Sequence, residues 1–491
     1  MGSEERMDAL ELDAAHSDID SVVQAIRVGP QGPGVAAVFE LGGVVVDGFD
    51  SAPPRRLLSR RDDDRDEQLA RVLLDGIRAH PDEASHGRFL DSAIRVLAGS
   101  AETDLDEIGT RMFKRTLYGF IHPEAWQLIR THRAAGHTVV LVSSGPRFAL
   151  EPVAAALGIE HTLCTRMATD DGALTGYPEG RTLWRSGKAE AIREFAARSG
   201  IELRNSFAYA ASGSDLPVLS SVGFPIAVNP DPGLAVICAE KDWPALTFRA
   251  RRPARPVDIV RTVAGFAALI AGAISGVLVK SYTRDHRTMA DALMKFGTGA
   301  TLRATGVRLR VSGAHNARSS RPAVFVFNHQ SQYDVIIVPA VLGGGVTGIG
   351  KQELTKNPVF GPLMRFVGVT FIDRTDTARA KASLEPVVHT LREGLSIAVA
   401  PEGTRSFTPE VGLFKKGAFH IAIQARVPVI PVVIRNAGEV SWRDSMVVRP
   451  GVVDVAVLEP IDVSGWDPAN MHDDVERVRQ LFIDTLLDWP E

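Results

Sequence analysis

Short runs of apolar, often β-branched residues recur along this chain, and most stop abruptly at a polar cluster. Val35 to Val46, Thr138 to Val142, Phe207 to Ala210 and Pro225 to Val228 are such runs in the first half. Arg308 to Val311, Ala323 to Phe327, Val369 to Ile372, Leu395 to Ala400, Val427 to Ile434 and Val452 to Leu458 follow in the second. Helical patterns separate most of them. Strands that are apolar on both faces and alternate with helices require a parallel sheet covered on both sides, with its ligand site at the carboxyl ends. The sequence therefore predicts α/β architecture in both halves. Pro428 and Pro431 argue against Val427 to Ile434 as a central strand, since proline donates nothing to a ladder.

At 491 residues the chain is long enough for two or more domains. A cluster at Gly29 to Gly34 ends a weakly helical leader, placing the start of order at Val35, and a basic, Pro-rich stretch from Arg249 to Pro256 reads as an exposed linker. The expected organisation is a leader over 1–33, an α/β domain over 34–248, a linker with an apolar helix over 249–300 and a second α/β domain over 301–491. A net charge of -4 argues against a general nucleic-acid binder. Two cysteines, Cys164 and Cys238, make neither a disulfide framework nor a metal cluster and point to a reducing compartment. Met1 to Asp20 is polar and acidic, without the apolar core of a cleavable secretory signal.

The densest chemistry lies in Asn328-His329-Gln330-Ser331-Gln332-Tyr333-Asp334, directly after a buried strand. In a straight helix, residues five apart point about 140° from each other. His329 and Asp334 can therefore meet only if the His sits on a turn and the Asp on the first helical turn. Ser331-x-x-Asp334 before an apolar run is also an ordinary capping box, which needs no catalysis. Three further strand ends weigh against that plain reading. They carry Asp373-Arg374, then Pro401-Glu402-Gly403-Thr404-Arg405-Ser406 followed by Lys415-Lys416, then Val427-Pro428-Val429-Ile430-Pro431.

Taken in order, these four stretches resemble the motifs of the 1-acylglycerol-3-phosphate O-acyltransferases over about 300–470, with Ala400 standing where many members have Phe. The resemblance implies an α/β glycerolipid acyltransferase domain that moves a fatty acyl group from acyl-CoA or acyl carrier protein to the sn-2 hydroxyl of lysophosphatidate, giving phosphatidate. His329 is then the general base, and Asp334 fixes its tautomer. Ser331 and Ser406 are not needed as nucleophiles, because the acceptor hydroxyl attacks directly. Arg374 and Arg405 suit a phosphate, which guanidinium groups bind bidentately, and Gly403 lets the backbone approach. Asn328, Lys351, Glu402 and Thr404 complete the expected substrate site, with Glu402 orienting an arginine or meeting a glycerol hydroxyl. No metal or prosthetic group is required for acyl transfer.

The first half carries a second resemblance. Phe39-Glu40-Leu41-Gly42-Gly43-Val44, Ser143, Lys188 and Ser212-x-x-Asp215 fall in the order and spacing of the four motifs of haloacid-dehalogenase-type phosphatases of the phosphoserine-phosphatase branch. This implies a Rossmannoid parallel sheet with a helical cap. The chemistry departs from the family: Glu40 replaces the nucleophilic Asp, Gly42 the acid/base Asp, Val44 the Thr and Ala211 a metal-binding Asp. Mg²⁺ wants octahedral oxygen coordination, so the domain is expected to be a silent relic. Mg²⁺ would be needed only if the domain were active, with Asp47 and Asp50 as the nearest substitute carboxylates.

Thr262 to Val279 runs eighteen residues without a charge, about 27 Å as a helix. It is rich in Ala and Gly, includes Gly272-x-x-x-Gly276, and has Arg and Lys on both sides. That length is close to the lower limit for a membrane span, which the pattern permits but does not demand, and the basic flanks suit a segment lying in or dipping into one leaflet of an anionic phospholipid surface, on the cytoplasmic face. A buried packing helix is the plain alternative. At the level of function, the alternatives are a working phosphomonoesterase tethered to the membrane, an acyltransferase for another lysolipid, and a lipid-binding scaffold without activity.

Overall fold

A computed structural model describes residues 18–47, 64–78, 80, 82–249, 254–356, 360–372, 385–405, 410–441 and 445–490. The chain divides into two compact units, Met1–Arg252 and Pro253–Glu491.

The first unit opens with helix α1 (Ile19–Val28), so order begins ahead of the expected start at Val35. Asp18 caps it by accepting from the Ser21 amide, and Val22, Val23, Ala25 and Ile26 form its buried stripe. Strand β1 (Ala36–Glu40) is buried along its whole length. An insert of three helices, α2 (Asp64–Asp75), α3 (Glu83–Leu97) and α4 (Glu102–Arg115), precedes β2 (Thr138–Val142). Then come β3 (His161–Leu163), the antiparallel hairpin β4 (Met167–Asp170) and β5 (Ala173–Pro178), helix α5 (Ser186–Ser199), β6 (Phe207–Ala210), β7 (Phe224–Val228) and β8 (Ala245–Leu246). The main sheet has the order β3-β2-β1-β6-β7-β8 and is parallel throughout. Its centre is β1, the most continuously apolar run, as burial on both faces requires.

The second unit begins with a helical hairpin, α6 (Pro256–Lys280) and α7 (His286–Thr305). Pro256 opens α6, and Asp258 reaches back to the Arg255 amide at 3.0 Å. The two helices meet through small residues. A Cβ at Gly272 would stand 2.6 Å from the Phe296 carbonyl oxygen, and one at Gly276 would stand 2.5 Å from that of Ala292. The pair of glycines is therefore a site of close helix packing. The rest of α6 stays open, with Val260, Val263 and Leu278 each about two-thirds exposed (66%, 65% and 66%).

Beyond the hairpin a seven-stranded sheet is built from β9 (Val307–Ser312), β10 (Val324–Phe327), β11 (Val346–Lys351), β12 (Thr370–Ile372), β13 (Ser396–Val399), β14 (Val429–Ile434) and β15 (Gly451–Val457), in the order β12-β11-β13-β10-β14-β15-β9. Helix α8 (Asp334–Leu342) follows β10. Side chains of β10 alternate between two cores: Val324 and Val326 enter one and Phe325 the other. Each such buried side chain contributes roughly 1.5–3 kcal/mol.

Contrary to the sequence expectation, β14 is central, and Pro431 stands within it opposite Val326. The sheet tolerates the missing donor because β15 ends at Val457, so Pro431 needs only to accept, from the Leu458 amide at 2.9 Å. Strand β11 has no counterpart among the predicted runs. Its sequence, Val-Thr-Gly-Ile-Gly-Lys, is too rich in glycine to look like a strand.

Candidate active site

The register of the second sheet assembles the site. Strands β10 and β13 are parallel neighbours with Val326 opposite Val399, so the residues just past each strand end lie level with one another. His329 leaves β10, and Glu402 leaves β13. The Glu402 Oε1 atom accepts from the His329 backbone N–H at 2.8 Å, and Oε2 accepts from the Gly412 amide at 3.1 Å. On the other flank of β10, the Asn328 amide bonds both backbone groups of Ile434, its Nδ2 donating at 2.8 Å and its Oδ1 accepting at 2.7 Å. The turn carrying His329 is thus clamped from both neighbouring strands.

Within the turn, His329 Nδ1 lies 2.7 Å from Asp334 Oδ2. The same carboxylate oxygen accepts from the backbone amides of Gln330 and Ser331, each at 3.0 Å. Three donors therefore converge on one buried oxygen and fix the ring that one of them belongs to. The His329 side chain keeps 24% exposure while that of Asp334 keeps 1%, so the ring has one sheltered nitrogen and one side open to a reactant. Half of the capping box is also realised: Asp334 reaches the Ser331 amide, but Ser331 Oγ accepts from Tyr333 N at 3.0 Å and donates to the Ser441 carbonyl at 2.5 Å.

Two expectations need correction. Asn328 is buried with its amide spent on β14, so it positions the turn and presents nothing to a substrate. Glu402 spends both of its oxygens on backbone amides, those of His329 and Gly412, so it too positions the turn. Burial pushes its carboxyl up to about 7, against the lowering effect of those N–H donors. Gly403 adopts φ +75, with the Lys415 chain so close that a Cβ would meet Nζ at 2.9 Å. Thr404 is exposed and Arg405 half-buried beside it. Lys351 ends β11, whereas its side chain and all of Arg374 lie outside the described residues. Ser441 and Gly412 were missed because nothing in their local sequence signals a partner so distant along the chain.

In the first unit, Glu40 is the last residue of β1, and Ser143 and Ala211 directly follow its parallel neighbours β2 and β6. Lys188, in the first turn of α5, places Nζ 2.5 Å from Glu40 Oε2 and 2.6 Å from Asp215 Oδ1, all three residues being buried. Burial pushes the Glu40 carboxyl up to about 8, opposed by the ammonium, while the two carboxylates hold Lys188 well above its ordinary range. Ser143 Oγ turns to the Gly76 carbonyl at 3.3 Å.

These residues do not fit a Mg²⁺ ion. Gly42 and Ala211 offer no carboxylate, and the two carboxylates present are already held by an ammonium. Asp47 sits 3.9 Å from His122 Nε2, and Asp50 lies outside the described residues. Among the described residues no group of three or more His, Cys, Asp or Glu side chains is arranged for a metal.

Two stretches of the chain match known families: residues 45–220 the haloacid dehalogenase-like hydrolases, and residues 308–435 the acyltransferases. The chain joins a haloacid dehalogenase-like region to an acyltransferase region. Among curated relatives, a probable phosphatase of Mycobacterium tuberculosis is 39% identical over 183 residues, covering 34% of this chain and 62% of its own length. The Homo sapiens 1-acyl-sn-glycerol-3-phosphate acyltransferase alpha is 36% identical over 179 residues, covering 36% of this chain and 63% of its own. The chain thus spans a little under two thirds of either relative. The crystal structure of the 1-acyl-sn-glycerophosphate acyltransferase PlsC from Thermotoga maritima is 25% identical, with a TM-score of 0.41, covering 48% of this chain and 98% of that one.

One neighbour of the phosphatase-like site has a measurable consequence. His86, on α3, stacks on Trp184 at 4.6 Å with both ring nitrogens buried and unpaired, and burial lowers its pKa to about 4. Its folded pKa is depressed, so the unfolded chain binds the extra proton between about pH 6.5 and 4, and stability is lost as pH falls through that window. His86→Phe keeps the stack and removes two unsatisfied atoms. The variant is expected to melt higher than wild type, by a margin that widens from pH 7 to pH 5 in thermal denaturation.

Proposed function

We propose that the second unit transfers a fatty acyl group from acyl-CoA or acyl carrier protein to the sn-2 hydroxyl of 1-acylglycerol 3-phosphate, forming phosphatidate. The observation that carries this reading is the 2.7 Å pair of His329 Nδ1 and Asp334 Oδ2 on a turn clamped by its neighbouring strands, with the imidazole partly open. His329 Nε2 takes the proton of the acceptor hydroxyl as its oxygen attacks the thioester carbonyl carbon. Asp334 holds the tautomer and stabilises the imidazolium. Collapse of the tetrahedral intermediate breaks the carbon–sulfur bond, and the departing thiolate takes the proton back from His329. Atoms and charges balance with no covalent enzyme intermediate and no metal.

Arg405, with Lys415 packed over Gly403, supplies positive charge for the acceptor phosphate at the end of β13. The helix Pro256–Thr283 is long and apolar enough to cross a membrane by length and composition. Its open apolar side and flanking arginines favour seating on the cytoplasmic face of a phospholipid surface, where the lysolipid resides. The first unit we read as catalytically silent, a scaffold or regulator.

The test is an assay of the full chain on vesicles with a panel of lysolipids and both donor types, alongside phosphomonoesters with Mg²⁺. Phosphatidate formation from lysophosphatidate without phosphomonoester turnover is expected. Phosphatase turnover that disappears on changing Glu40 would overturn the silent reading, and absence of transfer to every lysolipid would overturn the first. Glu402→Gln provides a finer check. A Gln carries one acceptor where two amides need one each, so it releases either His329 or Gly412. Transfer is expected to fall roughly tenfold through misplacement of the base, measured as kcat on the same vesicles.

A further inference from the structure

Ser331 and Tyr333, both between His329 and Asp334, make side-chain contacts that the chemistry above does not use. Ser331 is tied to the Ser441 carbonyl, as described. Tyr333 points the other way, into the hairpin. Its hydroxyl lies 2.7 Å from Thr305 Oγ1, at the last residue of α7, and both residues are buried. The direction of that bond is fixed by the threonine. Thr305 Oγ1 already donates to the Thr301 carbonyl at 2.8 Å, so the phenol is the donor and the threonine oxygen the acceptor.

The contact reaches both hairpin helices. A Cβ at Gly265 of α6 would stand 2.5 Å from Thr305 Cγ2, so α6 crosses directly over the threonine, and the Tyr333 ring shares a core with Leu269 of α6. One turn before Gly265, on the same buried face of α6, Thr262 Oγ1 accepts from Val448 N at 2.9 Å, near the segment whose Ser441 carbonyl holds Ser331. The turn bearing the base is therefore pinned by side chains on two sides, and one pin is a single hydroxyl pair to the hairpin.

Resting on the acyltransferase reading, we propose that Tyr333 and Thr305 are positioning residues for acyl transfer. Their buried hydroxyl pair ties the end of α7 to the turn and keeps His329 opposite Asp334 in the reactive geometry. Neither residue touches the reacting atoms. The pair acts through the Tyr333 backbone, whose amide is bonded to Ser331 Oγ, and through Asp334, the next residue in the chain. Angular tolerance around a general base is narrow, so slack in this turn lowers turnover without changing how lipid is bound.

The experiment uses the full chain on phosphatidylglycerol-containing vesicles with lysophosphatidate as acceptor. Tyr333→Phe and Thr305→Val are each expected to lower kcat roughly tenfold with KM within about twofold of wild type. Thr305→Ser, which keeps the hydroxyl, should return kcat to within about twofold. The double variant Tyr333→Phe/Thr305→Val should be no worse than the weaker single, because both remove one shared contact. Singles that fold and turn over like wild type would overturn the proposal, as would a double variant that loses the product of the two single effects. If Thr305→Val fails to fold, Tyr333→Phe decides alone.

Hydrogen exchange over 328–336 supplies an arm independent of turnover. The Gln330 and Ser331 amides, which donate to Asp334, should exchange faster in Tyr333→Phe, and unchanged exchange counts against the pair. Were the wild type inactive on every lysolipid, the acyltransferase reading would fall while exchange still judged the pinning.

Discussion

A chain with Ala at 329 is expected to fold as the wild type does and to transfer no measurable acyl group, a loss of at least about 10³-fold in kcat. The ring is not a core element. It keeps about a quarter of its surface, its Nδ1 meets Asp334 Oδ2, and its backbone amide would still reach Glu402 after truncation. Asp334→Asn tests the other half of the pair. The amide group is the same size and its one oxygen can stand where Oδ2 accepts all three donors, but it carries no charge, so it cannot stabilise the imidazolium and holds the productive tautomer less firmly. A loss of about 10²–10⁴-fold follows. Mass-spectrometric measurement of phosphatidate, with circular dichroism as the folding control, decides both. Retention of a tenth of wild-type turnover in His329→Ala would remove the base from the mechanism.

The second large effect belongs to the first unit and is one of stability. Lys188→Met leaves the buried Asp215 carboxylate without its cation, with the Glu40 carboxyl beside it, and breaking a buried ion pair by deleting one partner costs about 3–5 kcal/mol. The urea midpoint of this unit should fall accordingly. Glu40→Gln should be far milder, within about 1 kcal/mol at pH 7, because burial already keeps the Glu40 carboxyl protonated up to about 8. The sign of the linkage agrees. A carboxyl whose folded pKa is raised contributes its full stability at low pH and loses it as pH rises towards 8. The gap between Glu40→Gln and wild type should therefore move in favour of Gln on going from pH 6 to pH 9. Equal urea midpoints for Lys188→Met and wild type would show that the two carboxylates do not depend on the ammonium.

Much of this architecture was legible because strand, polar turn and helix leave a local signature. Val324 to Phe327 is apolar, stops at Asn328, and the five-residue step from His329 to Asp334 forces the turn that the structure contains. What was not legible depends on neighbours in space. Asn328 looked like a substrate ligand because its true partner, Ile434, is 106 residues away on a strand whose position beside β10 no local pattern reveals. Glu402 looked like an arginine partner until the adjacency of β10 and β13 placed it beneath the His329 amide. Pro431 misled for a related reason: a proline is excluded from a central strand only where a partner needs its donor, and here the partner has ended. The leader was underestimated because ten residues seldom hold a helix alone, whereas Val22 and Ile26 had a surface to bury against.

The ammonium of Lys188 has one more property. A divalent ion held by carboxylates is in exchange with its surroundings, so a fold that depends on it follows the free-ion concentration and yields to chelators. A cation on a side chain has no dissociation constant; it cannot be diluted, competed away or sequestered. The first unit carries its own counter-ion, and its melting point should be the same in EDTA as in millimolar magnesium. Such a unit keeps its shape through swings in metal supply that would alternately fill and empty a working phosphatase.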